Sequence, residues 1–280
     1  MTLTWPVFLA VLGGALLHAS WNVLVKSSAD KALDTALIHL LGSVVAVPLV
    51  LWVGLPPASA WPFLLMSLVI HVGYYTALAG AYEHGDMGLT YPLMRGLAPL
   101  LVALSASAVL GERLSPGGWL GVLAISGGVL TLGLSAQALA APKAVAFALA
   151  NAVTIMLYTL VDAQGVRQAG HALQYVATLF MLDGWPFALL VFARRRGKVL
   201  AYARQRWPLA LGGAIASMGS YGIALWAMTR APVATVSALR ETSVLFGALL
   251  GVWLLKEAFT LRRMLGTCAI VGGAMALRLA

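Results

Sequence analysis

The chain has 280 residues, 61% of them hydrophobic and 10% charged, with a formal net charge of +9 and a mean hydropathy of +0.91. A soluble domain carries about 25% charged residues, so this composition excludes a soluble enzyme or binding module and predicts an integral membrane protein. The positive balance does not point to nucleic acid, because the basic residues cluster between apolar runs, where they orient a chain against a bilayer.

A hydrocarbon core about 30 Å thick takes roughly 20 apolar residues of helix. Such runs lie near 4–25, 33–53, 61–82, 87–110, 116–135, 143–162, 172–193, 207–229, 232–255 and 261–279. The first, from Trp5 to Val25, is too long for the core of a signal peptide and has no A-x-A exit, so it is expected to stay as a helix. Breakers separate the runs: Gly54-Leu55-Pro56-Pro57, Gly85-Asp86, Ser115-Pro116-Gly117-Gly118, Ala141-Pro142, Gly165 with Gly170, and Ala231-Pro232. The short stretch 136–142 is the expected seam between two halves, 1–138 and 139–280. The single cysteine, Cys268, permits no intramolecular disulfide.

The two halves repeat one another. A shift of 145 sets Arg95 on Arg240, Glu112 on Glu257, Gly121 on Gly266, Gly127-Gly128 on Gly272-Gly273 and Thr90 on Thr235. A shift of 146 aligns Gly73 and Tyr75 with Gly219 and Tyr221, 138 aligns Pro48 with Pro186, and 137 sets Trp21 beside Tyr158. Five crossings per half is an odd number, so the second half enters from the opposite side. The expected fold is an all-α membrane protein with ten transmembrane helices as two inverted five-helix repeats, the sequence pattern of a transporter. The matched glycines read as close-packing positions on helices five and ten.

Orientation follows from the basic residues. With both termini outside, the inner loops hold Lys26, Lys31, Lys143, Arg194, Arg195, Arg196, Lys198, Arg204, Arg206, Lys256, Arg262 and Arg263, against Arg113, Arg167, Arg230 and Arg278 outside. The charge bias therefore favours external termini, in a plasma membrane of the bacterial inner type.

Arg95 and Arg240 each lie about eight residues into a span, roughly 12 Å deep at 1.5 Å per residue. Their helices enter from opposite sides, so both fall near the midplane, where an arginine costs about 2.5–3.5 kcal/mol on insertion scales. A guanidinium fork suits a carboxylate or phosphonate, so Arg95 and Arg240 are candidate substrate-binding residues. The alternative is a permanent ion pair between one of them and Glu241. Reversible protonation of Glu241 would supply proton coupling; a fixed ion pair would not. His18, Trp21 and Asn22 share one face of helix one. Helix three stacks His71, Tyr74, Tyr75 and Tyr82, helix four adds Tyr91, and helix eight adds Tyr221 and Trp226. Of these, His18, Trp21, Asn22, Tyr75, Tyr91 and Tyr221 are taken as cavity residues, with Tyr158 as the partner of Trp21. Trp5, Trp61 and Trp207 read as an interfacial belt. Asp162 and Glu83 lie near expected helix ends and are expected to be solvated; Asp183, beside Gly184 and Pro186, has no evident partner.

The residues from Pro99 through Gly111-Glu112-Arg113-Leu114 to Gly127-Gly128 resemble the EamA repeat of the drug/metabolite transporter superfamily. The pattern recurs from Arg240-Glu241-Thr242-Ser243 through Lys256-Glu257 to Gly272-Gly273, and Trp21-Asn22 with Tyr158-Thr159 resembles the first-helix signature. The resemblance implies a ten-helix secondary transporter working by alternating access, its cavity lined mainly by helices one, three, four, six, eight and nine. Two departures stand out. Val244 matches Pro99 and Glu241 matches Gly96, so only helix four is expected to kink. Better-known relatives place both termini in the cytoplasm, opposite to the charge bias here.

The expected function is transport of a small zwitterionic or anionic metabolite, amino acids first, in the direction of export. The alternative is uptake, or export of a quaternary ammonium or other cation held by aromatic faces. The five histidines show no H-E-x-x-H spacing and there is no G-x-S-x-G, so no enzyme, metal site or cofactor is expected. Partners are a small-molecule substrate and the lipid bilayer, with the chain as a monomer or homodimer.

Overall fold

The computed structural model describes residues 3–85, 87–133, 141–195, 197, 199–255 and 260–280. Asp86, the centre of the expected seam, Arg196, Lys198, Lys256 and Glu257 lie outside the described residues. The first half comprises α1 (Trp5–Lys26), α2 (Lys31–Val53), α3 (Trp61–His84), α4 (Met87–Leu110) and α5 (Pro116–Gly133). The second comprises α6 (Pro142–Gln168), α7 (Ala172–Arg194), α8 (Val199–Met228), α9 (Val233–Arg240), α10 (Thr242–Leu255) and α11 (Leu261–Leu279). Prolines open α1, α3 and α6, where the missing N–H would be unpaired in any case. Asp30, His171 and Thr260 cap α2, α7 and α11 by accepting a backbone N–H of the first turn.

Eight segments are long and apolar enough to cross a membrane: α1 to α4, α6 to α8, and the tandem of α9 with the start of α10. The remaining two, α5 and α11, pack along one another. The molecule is thus an all-α membrane protein in which α1–α5 and α6–α11 repeat one architecture. Both termini meet one side, called here the terminal face; Lys26, Lys31 and Arg194 mark the far face.

Helix pairing follows the repeat. The extensive α3–α6 and α1–α8 contacts are the same contact seen from each half, and α2–α7 and α5–α11 each pair an element with its own counterpart. The matched glycines meet across the α5–α11 seam. A Cβ on Gly121 would lie 2.8 Å from the Gly273 carbonyl and one on Gly273 2.8 Å from the Gly121 carbonyl; Gly128 and Gly266 stand in the same relation at 2.8 and 2.9 Å. Here absence of a side chain is what lets two backbones touch.

Three expectations change. First, a backbone break appears in the other half. Helix α4 runs unbroken through Pro92 and Pro99, whereas the ninth crossing is interrupted at Glu241. There the Glu241 N–H reaches Ala238 rather than a full α-turn back, and the Thr242 hydroxyl donates to the Leu239 carbonyl at 2.7 Å, a side-chain bond that competes with the backbone ladder. Second, Gly165 does not end a helix: α6 continues to Gln168, and the missing Cβ makes room for the Tyr175 ring. Asp162 is consequently not solvated but fully buried. Third, α8 starts eight residues earlier than its apolar run, because Tyr202 and Arg206 both bind Asp34 on α2, at 2.8 and 2.6 Å.

The two faces differ in packing. At the terminal face the main core gathers Val7, Phe8, Val11, Leu64, Val102, Ala106, Val166 and Leu225. Gly111, at φ +66°, turns the chain after α4 in a conformation that suits glycine, and so presents Glu112. Its carboxylate accepts Arg167 at 2.7 Å and the Val233 N–H at 2.7 Å, while Arg167 Nε donates to the Met228 carbonyl at 3.0 Å. One glutamate therefore ties the ends of α4, α6, α8 and α9. Towards the far face the core divides into smaller clusters, and a cavity opens between them.

Candidate functional site

The cavity has a volume of about 140 Å³. His18, Trp21 and Asn22 enter it from the last two turns of α1, Tyr91 and Arg95 from the first half of α4, and Tyr158 from the middle of α6. Tyr75, with His71 and Tyr74, comes from α3, Tyr221 with Ser217 from α8, and Arg240 from the last residue of α9. All nine residues singled out as substrate-binding candidates thus border one space. Two of its walls were not anticipated: Thr35 and His39 on α2, and Leu179, Phe180 and Asp183 on α7. Thr35 stands near the start of α2 with an exposed side chain, which places the mouth towards the far face.

Aromatic rings form a continuous lining. His71 stacks on Tyr158 at 4.7 Å between centroids, Tyr74 meets Tyr75 at 5.3 Å, and Tyr158 meets Tyr221 at 6.2 Å. His18 packs edge-on against Trp21 at 5.4 Å. Asn22 donates to the His18 carbonyl at 2.7 Å, so its side-chain nitrogen is engaged within its own helix. Tyr82 packs in the α3–α4–α6 cluster outside the cavity, and Trp226 lies under Arg230 at 4.5 Å near the terminal face. Of the three tryptophans expected in an interfacial belt, Trp5 and Trp207 are exposed, whereas Trp61 is half-buried against the main core.

The two midplane arginines have different surroundings. Arg95, 7% exposed, has its Nε 2.8 Å from Glu241 Oε2, and Glu241 is 3% exposed. The N–H does not point along that line, and Arg95 Nη2 has no hydrogen-bond partner among the described residues. The contact is therefore a Coulombic pair with donors left over. Arg240 is half-buried. Its guanidinium lies 5.1 Å from the Tyr221 ring centroid, and no carboxylate among the described residues pairs with it. The position matching Glu241 in the first half is Gly96, where a Cβ would lie 2.7 Å from Leu130. That glycine lets α4 lie tightly on α5, while the second half spends the same position on a charge.

Behind Tyr158, Asp162 accepts hydrogen bonds from Tyr175 at 2.8 Å and from Tyr221. These join α6, α7 and α8 between the cavity and the terminal face. A larger hollow of about 660 Å³, bordered by Arg167, His171, Trp226 and Arg230, lies on the other side of that barrier.

A family description, EamA-like transporter family, matches residues 4–134 and 142–279, one repeat in each half. The chain belongs to the EamA-like transporter family. No curated protein sequence matches it. A crystal structure superposes on it with a TM-score of 0.73 at 21% identity, over 98% of this chain and 96% of the other, which shows a shared fold. In this EamA-like transporter the helix-end Glu112 is the residue that fastens the terminal face. The cavity departs from the lining the resemblance implied, since α2 and α7 also contribute. His39 carries no signal inside an otherwise apolar run, and Asp183 has no partner within its own helix to give it a role. The usable signal was Gly184, whose Cβ would collide with Ser43 Oγ and the His39 carbonyl; it brings α7 hard against α2 beside Asp183.

Proposed function

We propose that this membrane transporter moves a small carboxylate-bearing metabolite, zwitterionic or anionic and with amino acids first, by alternating access in the direction of export. The observation that carries the reading is Arg240, a guanidinium with no carboxylate partner among the described residues, facing an aromatic cavity near the midplane. A charge so placed is costly, and a substrate carboxylate offsets that cost with two aligned hydrogen bonds. Size supports a small solute: 140 Å³ lies well below the 300–1,000 Å³ of drug-sized sites. Trp21, Tyr75, Tyr91, Tyr158 and Tyr221 cover the apolar part, and His18 and Asn22 border it.

Coupling through Glu241 would require the carboxylate to leave Arg95 and take up a proton during the cycle. The mouth towards the basic far face, together with the positive-inside rule, supports a cytoplasmic mouth in this conformation and external termini.

Counterflow in proteoliposomes tests the reading. Arg240→Gln is expected to weaken half-saturation for the substrate by about 10- to 100-fold, the loss of a charge-assisted interaction of about 1.5–3 kcal/mol. Unchanged half-saturation would overturn the carboxylate assignment, and saturable flux without counterflow would indicate a channel.

A further inference from the structure

Arg240 and Asp183 border the same cavity with opposite charge, and neither has an ion-pair partner among the described residues. We infer that Asp183 is the binding site for an ammonium group, so that the cavity is built for a zwitterion rather than for a simple anion. The inference rests on the carboxylate reading of Arg240 and adds the opposite end of the substrate.

The Asp183 end has the form that a cation requires. Tyr75 donates its hydroxyl to Asp183 Oδ2 at 2.8 Å, and the same hydroxyl lies 3.3 Å from His39 Nδ1. One carboxylate oxygen is thereby oriented, while Oδ1 accepts no hydrogen bond among the described residues. Tyr75 stacks on Phe187 at 5.1 Å, and His39 packs edge-on against Tyr75 at 5.3 Å. An acceptor-only group with one oxygen free among the described residues favours an ammonium through charge. The site is held in place by backbone: α7 lies against α2 at Gly184, and Ser43 donates to the Phe180 carbonyl at 2.7 Å.

Between the two ends stand rings. Phe180 is one turn from Asp183 on α7 and lies 6.3 Å from Tyr221, whose face carries Arg240 at 5.1 Å. An anion alone would leave Asp183 unpaired inside the protein, and a cation alone would leave Arg240 so. A zwitterion neutralises both at once, and discrimination against analogues lacking either group follows from the polar group each would leave without a partner.

The test is ligand-induced thermal stabilisation and counterflow inhibition with the full-length protein. Glycine, the protein amino acids, β-alanine and 4-aminobutyrate are each compared with the carboxylate lacking the amino group and the amine lacking the carboxylate. At least one zwitterion is expected to bind at least tenfold more tightly than both of its single-charge analogues. Asp183→Asn should reduce its affinity to that of the deaminated carboxylate, whose own affinity should not fall. Asp183→Glu should restore part of the preference. Tyr75→Phe, which keeps the ring and frees the carboxylate, should give a smaller loss in the same direction and serves if Asp183→Asn does not fold. Deaminated carboxylates binding as well as the zwitterions, or a preference that survives both variants, would overturn the inference and leave the carboxylate reading intact. Amines binding as tightly as zwitterions, with Arg240→Gln without effect, would overturn both and favour a cation transporter.

Discussion

Glu241→Gln alone lowers the stability of the folded protein by about 3–5 kcal/mol, the usual cost of leaving a buried charge without its partner. The reason is local. Arg95 and Glu241 are almost wholly withdrawn from solvent and stand 2.8 Å apart, and Arg95 Nη2 already lacks a partner among the described residues. Taking away the carboxylate charge leaves the guanidinium near the bilayer centre with dipoles alone to hold it. The double change Arg95→Met with Glu241→Met removes both charges and is expected to regain most of the loss, since a buried pair is often matched or bettered by apolar residues of similar volume. Melting temperature in detergent, with the double-mutant cycle completed, reads this coupling. Single variants that melt with the wild type would show that the pair does not bear on stability, and would return Glu241 to consideration as a freely titrating group.

The second large effect concerns the seam of α5 and α11. Gly128→Ala puts a Cβ 2.8 Å from the Gly266 carbonyl, and Gly273→Ala puts one 2.8 Å from the Gly121 carbonyl and 2.9 Å from the Ile125 amide. Backbone atoms cannot rotate aside, so the helices must separate. Each change is expected to cost about 1–3 kcal/mol as overpacking, and the pair together no more than their sum, since one separation of the helices relieves both contacts. The neighbours supply the control. Gly127 and Gly272 have nothing within 4 Å of an added Cβ, so Gly127→Ala and Gly272→Ala should be neutral or stabilising by up to about 1 kcal/mol through helix propensity. Comparable melting of all four variants would mean that the seam does not depend on close backbone approach.

These glycines mark what could be read from sequence and what could not. The doubled spacing pointed to packing, but only the helix phase separates Gly128 from Gly127. Arg95 and Arg240 were placed in one region because helical rise is a fixed length and the halves are inverted. The break beside Arg240 has no sequence signal as visible as Pro99, because it rests on the Thr242 hydroxyl. Asp162 was misjudged for a related reason. Its helix was ended where the apolar run ended, whereas Gly165 continues it by admitting the Tyr175 ring. Asp183 and His39 acquire meaning only when α2 and α7 lie together, a contact between residues some 140 positions apart that no local pattern records.

The Glu112 knot gives the molecule one further property. With α4, α6, α8 and α9 fastened at the terminal face and the mouth near Thr35, the protein stands as a cup rather than a tunnel. A cup equilibrates with one bath only. Its occupancy in this conformation registers solute concentration on the far face and is blind to the other side.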